Sequence, residues 1–253
     1  MLVVVSPAKR LTEGEALNKG ASTPVFRDDA NELARAARKL TAKDLQKLMG
    51  ISPALGELNK NRFTVFGSGE GERPAIELFA GDTYAGLEAH TMEEDELRYA
   101  QDHLGILSGL YGLLRPLDQI APYRLEMGTR MKNVRGKNLY EFWDDRIATE
   151  LNARAGATES QTLINCASVE YFSAVKQEAL NMRVITPHFL DVKSGTPKVV
   201  SFFAKKARGS MARYIVQNRV RDPQDLKDFD LGGYCYQPDM SDGDTIVFLR
   251  PET

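Results

Sequence analysis

The chain predicts an α/β domain with a mixed sheet surrounded by helices, and three observations carry that expectation. Continuous apolar runs such as LVVV (2–5) and TLINC (162–166) suit strands buried on both faces. Between them lie segments that are apolar at every third or fourth residue, the spacing of amphipathic helices. No repeat, linker or break in composition interrupts the 253 residues, so residues 1–253 are read as one domain. A 42% hydrophobic content is enough for one large core.

The elements follow in order. LVVVSP (2–7) is a buried strand. Ala30, Leu33, Ala34, Ala37 and Leu40 give 28–40 a helical face. Thr41 offers an N-cap to a second short helix, AKDLQKLM. After Gly50-Ile51-Ser52, Pro53 suits the first position of a third helix capped by Ser52. FGSGEGERP (66–74) is a polar loop and AIELFAG (75–81) a strand. Thr91 and Glu94 form a capping box that opens a helix within 90–112. Residues 113–138 read as turns and strand fragments, and 138–156 as helical. TLINCAS (162–168) is a strand, VEYFSAVKQEAL a helix, and RVITPHFLDV (183–192) a strand. KSGTP turns into a strand KVVSFFA (198–204), followed by a basic loop and the helix SMARYIVQNRV (210–220). The end, YCYQPDMSDGDTIVFLR, is a second hairpin.

Several function classes are set aside by composition. No run approaches the roughly 18 apolar residues of a membrane span, and the apolar start lacks the basic flank of a signal peptide. Cys166 and Cys235 lie far apart, which suits two buried thiols in a reducing cytoplasm. The histidines at 90, 103 and 188 are scattered, and no metal-ligand, phosphate-loop or nucleophile-elbow pattern occurs. No catalytic residue, metal or cofactor is therefore assigned. In FAGDTYAGL (79–87), Asp82 and Tyr84 stand where a strand-to-loop junction lines a site in many α/β folds.

Charge is segregated. Windows 38–62, 115–137 and 201–221 together carry +14, while the rest of the chain carries −16. If they converge they make a positive surface suited to a polyanion. From the second window, Arg115, Arg124 and Lys137 are candidates, near Tyr123 and Tyr140. In the third, Lys205, Lys206 and Arg208 sit just before the expected helix at Ser210, where cations are disfavoured unless an anion is held. Lys9 follows the first strand and could reach the same cleft, which would suit an unidentified small anionic ligand.

Residues 41–62 match the helix-hairpin-helix pattern L-x-x-L-P-G-I-G-x-x-x-A at Leu45, Leu48, Gly50, Ile51 and Gly56. Met49 replaces the proline and Ser52 the second glycine. Gly50 can take positive φ, and Ile51 would plug the space between the helices. The amides after Ser52 would then grip phosphate oxygens without reading bases. Lys43, Lys47, Lys60 and Arg62 would add salt-dependent attraction.

Over essentially its full length the sequence resembles the YaaA peroxide-stress proteins of bacteria. The resemblance is carried by SPAK (6–9), FAGDTYAGL (79–87), LSGLYGLLRPLDQIAPYRLEMG (107–128), GKNLYEFW (136–143), INCASVEYF (164–172) and SFFAKKARG (201–209). Arg10 departs from the Thr usual in that family. The resemblance implies a cytoplasmic oxidative-stress protein that limits iron-linked damage. It also implies sequence-nonspecific DNA binding, on duplex or repair-intermediate structures, through a helix-hairpin-helix and a positive cleft. The alternatives are an enzyme on a nucleotide, nucleobase or phosphate-bearing molecule at the Lys9, Asp82, Lys205, Lys206 and Arg208 cleft, and an adaptor that sequesters iron through partners.

Overall fold

The computed structural model describes residues 1–12 and 21–252. The first apolar run is β1 (Leu2–Val5), buried throughout. It is followed by β2 (Arg10–Leu11), α1 (Arg27–Arg38), α2 (Ala42–Met49), α3 (Pro53–Val65), β3 (Arg73–Pro74), α4 (Ala75–Leu78), β4 (Phe79–Ala80), α5 (Asp82–Leu87) and α6 (Glu94–His103). Then come β5 (Leu104–Ser108), β6 (Gly112–Leu114), β7 (Gln119–Ile120), α7 (Leu139–Trp143), α8 (Arg146–Ala157), β8 (Thr162–Cys166) and α9 (Val169–Phe172). The chain ends with β9 (Arg183–Lys193), β10 (Thr196–Lys198), α10 (Ser201–Gln217), β11 (Cys235–Tyr236) and β12 (Thr245–Arg250).

These elements form a single α/β domain around a mixed eight-stranded sheet. Five strands are parallel, in spatial order β5-β1-β8-β9-β12. The edges are antiparallel: β6 on β5, β11 on β12, and β10 folded back on β9. Counted in chain order, the parallel strands run 2-1-3-4-5, so the order reverses between β1 and β8. In open parallel sheets the crevice beyond the carboxyl ends at such a reversal is where ligands bind. Here it is framed by the Ser6 and Ser168 loops. Outside the sheet, the β2–β4 ribbon pairs Arg10 with Ala80 and draws the loop after β1 to the start of α5.

Several expectations need correcting. The run AIELFAG is one helical turn and a two-residue strand. VEYFSAVKQEAL is not one helix but the single turn α9 and a 3-10 turn at Gln177–Ala179. The helix expected within 90–112 ends at His103 and gives way to β5, and its capping box is Glu93 with Glu96 rather than Thr91 with Glu94. Cys235 is exposed, not buried.

The most consequential correction concerns 198–220. No strand, basic loop and Ser210-capped helix exist there, because α10 runs unbroken from Ser201. Valines and phenylalanines suggested a strand, but Ala204, Ala207, Met211, Ala212 and Ile215 recur at helical spacing and are all buried. Lys205, Lys206 and Arg208 are thus mid-helix rather than ahead of a helix start at Ser210.

Candidate anion cleft and basic helical hairpin

The loop after β1 and the loop after β8 are stitched together at the order reversal. Ser168 N–H donates to Ser6 Oγ at 2.9 Å, and the two hydroxyls lie 3.4 Å apart. The buried Tyr84 hydroxyl donates to the Ser6 carbonyl at 3.2 Å, and Asn165 Oδ1 accepts from Ala167 N–H at 3.0 Å, holding the turn that follows β8. Above this floor opens a cavity of about 470 Å³ whose lining includes Lys9, Asp82, Cys166, Glu170, Lys205 and Arg208.

Two glycines set the cleft's width. A Cβ on Gly209 would stand 1.8 Å from the Thr83 carbonyl oxygen, and one on Gly86 would stand 2.0 Å from that of Lys206. The backbones of α5 and α10 therefore touch, which fixes Asp82 against the Lys205 and Arg208 row. Gly81 caps α5 at φ 141°, a conformation suited to glycine, and turns the chain into Asp82.

Arg208 is half-buried and makes no hydrogen bond or ion pair with the described residues. Burial pushes its guanidinium down from the ordinary value, with Cys166 acting weakly in the other direction. His188 is likewise lowered, by burial and then by the Arg208 charge. Asp82, Lys205 and Lys206 also lack partners among the described residues. Lys9 is held 3.1 Å from Glu126, whose Oε1 also receives Arg124 at 3.0 Å, while the buried Glu126 Oε2 has no hydrogen-bond partner. Glu170 anchors the opposite wall by accepting Gly128 N–H at 2.9 Å.

Not every expected cleft residue lies there. Tyr84 lines a neighbouring cavity, and Lys206 is exposed outside the lining, its carbonyl against Gly86. Arg115 is paired at 3.3 Å with the fully buried Asp118, and Lys137 is exposed away from the cavity, its amide bonded to Glu141. Lys47 of the first window and Lys132 of the second line one cavity, while Lys205 and Arg208 of the third line another. Arg135 pairs with Asp29 and Glu32, and Arg219 with Asp95, so these two cations are neutralised by carboxylates outside the windows.

Cys166 closes the cleft's floor. Burial pushes its thiol up to about 12, so at pH 8 little of it is the reactive thiolate. Iodoacetamide at pH 8 is expected to label exposed Cys235 in the native chain and Cys166 only after denaturation. Mass spectrometry showing equal native labelling would contradict this burial.

The hairpin stands elsewhere. Thr41 and Asp44 close a capping box on α2, and Gly50 ends that helix at φ 60°. Ile51 is buried. A Cβ on Gly56 would meet the Ala42 carbonyl oxygen at 2.8 Å, so α2 and α3 pack closely. Ser52 caps α3 through Leu55 N–H, while Pro53 has no N–H, and this leaves the Ser52 and Ala54 amides without acceptors among the described residues. Lys43 and Lys47 are exposed and flank Asp44. Hydrogen bonds from Thr41 hold that carboxyl below the usual range, and the two lysines lower it further. Lys47 shares a cavity of about 450 Å³ with Lys132. Lys60 instead donates to the Arg38 carbonyl at 2.7 Å, a structural tie, and Arg62 is half-buried.

Ser6, Ser168, Cys166, Glu170 and Glu126 escaped sequence reasoning. A signal was present, since two buried apolar runs each lead within two residues to a serine, but only the strand order places those serines side by side. Among the described residues, no group of three or more His, Cys, Asp or Glu is placed to hold a metal, and no helix is long and apolar enough to cross a membrane.

Comparison with known proteins gives a consistent picture. The family model described as "Peroxide stress protein YaaA" matches residues 1–240. A UPF0246 protein of Ruegeria pomeroyi is 56% identical over 254 residues, covering 99% of each chain. One of Jannaschia is 56% identical, covering 100% of this chain and 98% of its own, and one of Dinoroseobacter shibae is 57% identical, covering 99% and 95%. The chain therefore belongs to the YaaA peroxide stress protein family.

Proposed function

We propose that this protein acts in peroxide stress by binding the sugar-phosphate backbone of DNA without sequence preference, through the α2–α3 hairpin, and thereby limits iron-linked oxidative DNA damage in the cytoplasm. The observation that supports this reading is local. The left-handed Gly50 and the buried Ile51 leave the Ser52 and Ala54 amides open among the described residues, next to two lysines that no described carboxylate holds within ion-pair distance. Amides and ammonium groups of this kind contact phosphate oxygens and leave base edges unread.

Binding of duplex DNA is expected to weaken steeply with salt. The double variant Lys43→Glu, Lys47→Glu should flatten the log–log slope by about 2 and weaken all duplex sequences alike. Gel shifts over a salt series check this. An unchanged slope, or a loss confined to one sequence, would sink the hairpin reading.

The cleft supports a second reading: an enzyme on a nucleotide, nucleobase or phosphate-bearing small molecule. Its specific support is Arg208 at the strand-order reversal, together with a carboxylate, Asp82, neither of which has a partner among the described residues.

A further inference from the structure

We infer that the β1/β8 cleft binds a mononucleotide unit, with its phosphate on Arg208 and Lys205 and its base against Phe202. The inference rests on the second reading above and narrows it from phosphate-bearing molecules in general to one class.

The argument begins with α10. Phe202, Lys205 and Arg208 are spaced i, i+3, i+6, so they form one row along the helix surface. Lys205 and Arg208 line the cavity, Lys205 exposed and Arg208 half-buried beside Cys166 at the end of β8. Phe202, 55% exposed and edge-on to Phe203 at 5.4 Å, lies one turn ahead of Lys205, just outside that lining. A large aromatic left in water at one end and an uncompensated guanidinium at the other is an unfavourable arrangement for a purely structural helix.

A ligand with an anion at one end and a flat apolar ring at the other relieves both. The guanidinium regains charge-assisted hydrogen bonds, and the phenyl face regains contact. Phosphate alone would leave Phe202 unused, and a nucleoside alone would leave Arg208 unpaired.

The walls fit the middle of such a molecule. Asp82 offers an acceptor with no partner among the described residues, suited to a sugar hydroxyl. On the facing loop, exposed Val169 stands between the lining residues Ser168 and Glu170. The volume, about 470 Å³, is that of a small-molecule site and far short of a duplex groove. The location is where open parallel sheets bind ligands, which is an observation independent of the α10 row.

Two sources share this chemistry, a free mononucleotide and the phosphorylated end of a single strand. Isothermal titration of the full chain distinguishes them, using adenosine, guanosine, cytidine and uridine 5′-monophosphates, adenosine, ribose 5-phosphate, inorganic phosphate and a 5′-phosphorylated oligothymidylate. The inference expects at least one mononucleotide or the oligonucleotide to bind at least about tenfold more tightly than ribose 5-phosphate and phosphate. Tighter binding by the oligonucleotide assigns the site to strand ends, and tighter binding by a monophosphate assigns it to free nucleotides.

Phe202→Ser should weaken the nucleotide about tenfold while leaving phosphate unchanged, and Phe202→Leu should recover part of the loss. Arg208→Gln should weaken every phosphate ligand by about tenfold or more. Because Phe202 is exposed, its variant keeps the test decisive even if Arg208→Gln lowers stability. Ribose 5-phosphate binding as tightly as any nucleotide, with Phe202→Ser silent, would overturn this inference and leave the second reading standing. No binding of any phosphate ligand would overturn both. Lys43→Glu, Lys47→Glu leaving the titrations unchanged separates the cleft from the hairpin, whereas loss of nucleotide binding in that variant would overturn its assignment to the cleft.

Discussion

Gly209→Ala is expected to destabilise the protein by about 3 kcal/mol or more and to abolish ligand binding in the cleft while sparing the hairpin. The methyl group would sit 1.8 Å from the Thr83 carbonyl oxygen and 2.9 Å from the Leu87 amide nitrogen. Both are backbone atoms of α5 and its approach, so no rotamer change relieves the clash, and the helices must separate. Separation would carry Asp82 away from Lys205 and Arg208, because Asp82 stands on α5 and the other two on α10.

For a chain of this size the loss corresponds to a melting-temperature drop of roughly 6–12 °C. Gly156→Ala is the natural control. It lies in α8 with negative φ, and nothing stands within 4 Å of the added methyl, so Ala there should raise stability by about 0.4–1 kcal/mol. Thermal melts of the two variants moving in the same direction would refute the claim that backbone contact at Gly209 sets the cleft.

The same crossing explains what could and could not be read from the sequence. Buried strands were legible because Leu2–Val5 and Thr162–Cys166 are apolar on both faces, and composition reports that directly. Helix caps at Thr41 and Ser52 and the Gly50 turn were legible because they depend on neighbours within four residues. What failed was anything decided by distant partners. The segment 198–204 holds Val199, Val200, Phe202 and Phe203, a strand-like run. It is helical from Ser201 because the small residues Ala204, Ala207 and Gly209 let α10 lie directly on α5 and the sheet. Local propensity yields to such packing. Charge pairing was hidden for the same reason. Window counting sees Arg135 and Arg219 as surplus, whereas their carboxylate partners, Asp29 and Glu32 for the first and Asp95 for the second, lie more than a hundred residues away along the chain. The cleft residues Ser6 and Ser168 are 162 positions apart, and only the 2-1-3-4-5 strand order brings them together.

Asp118→Ala is expected to cost about 3–5 kcal/mol, the penalty for breaking a buried ion pair from one side. Asp118 is fully buried, and both oxygens are used. Oδ1 accepts the Ser22 hydroxyl at 2.7 Å and the Arg115 guanidinium at 3.3 Å, and Oδ2 accepts the Arg115 amide at 2.8 Å. Gln101 extends the network, donating to Ser22 Oγ at 2.9 Å and accepting Leu117 N–H at 2.8 Å. Main-chain bonds run through the same point, from Ala75 N–H to the Asp118 carbonyl and from Gln119 N–H to that of Ser22. Removing the carboxylate strands a hydroxyl and an amide, and leaves the guanidinium only the Thr23 carbonyl at 3.4 Å and water. Asp118→Asn should be milder, since one oxygen still accepts while its amide group faces a donor. The double variant Arg115→Met, Asp118→Leu should recover part of the loss, because an apolar pair leaves no uncompensated charge. Urea denaturation of the two single variants and the double variant measures the coupling. Strict additivity would mean that the pair does not hold this corner of the fold, and that the cost of Asp118→Ala comes from the Ser22 hydroxyl and the Arg115 amide instead.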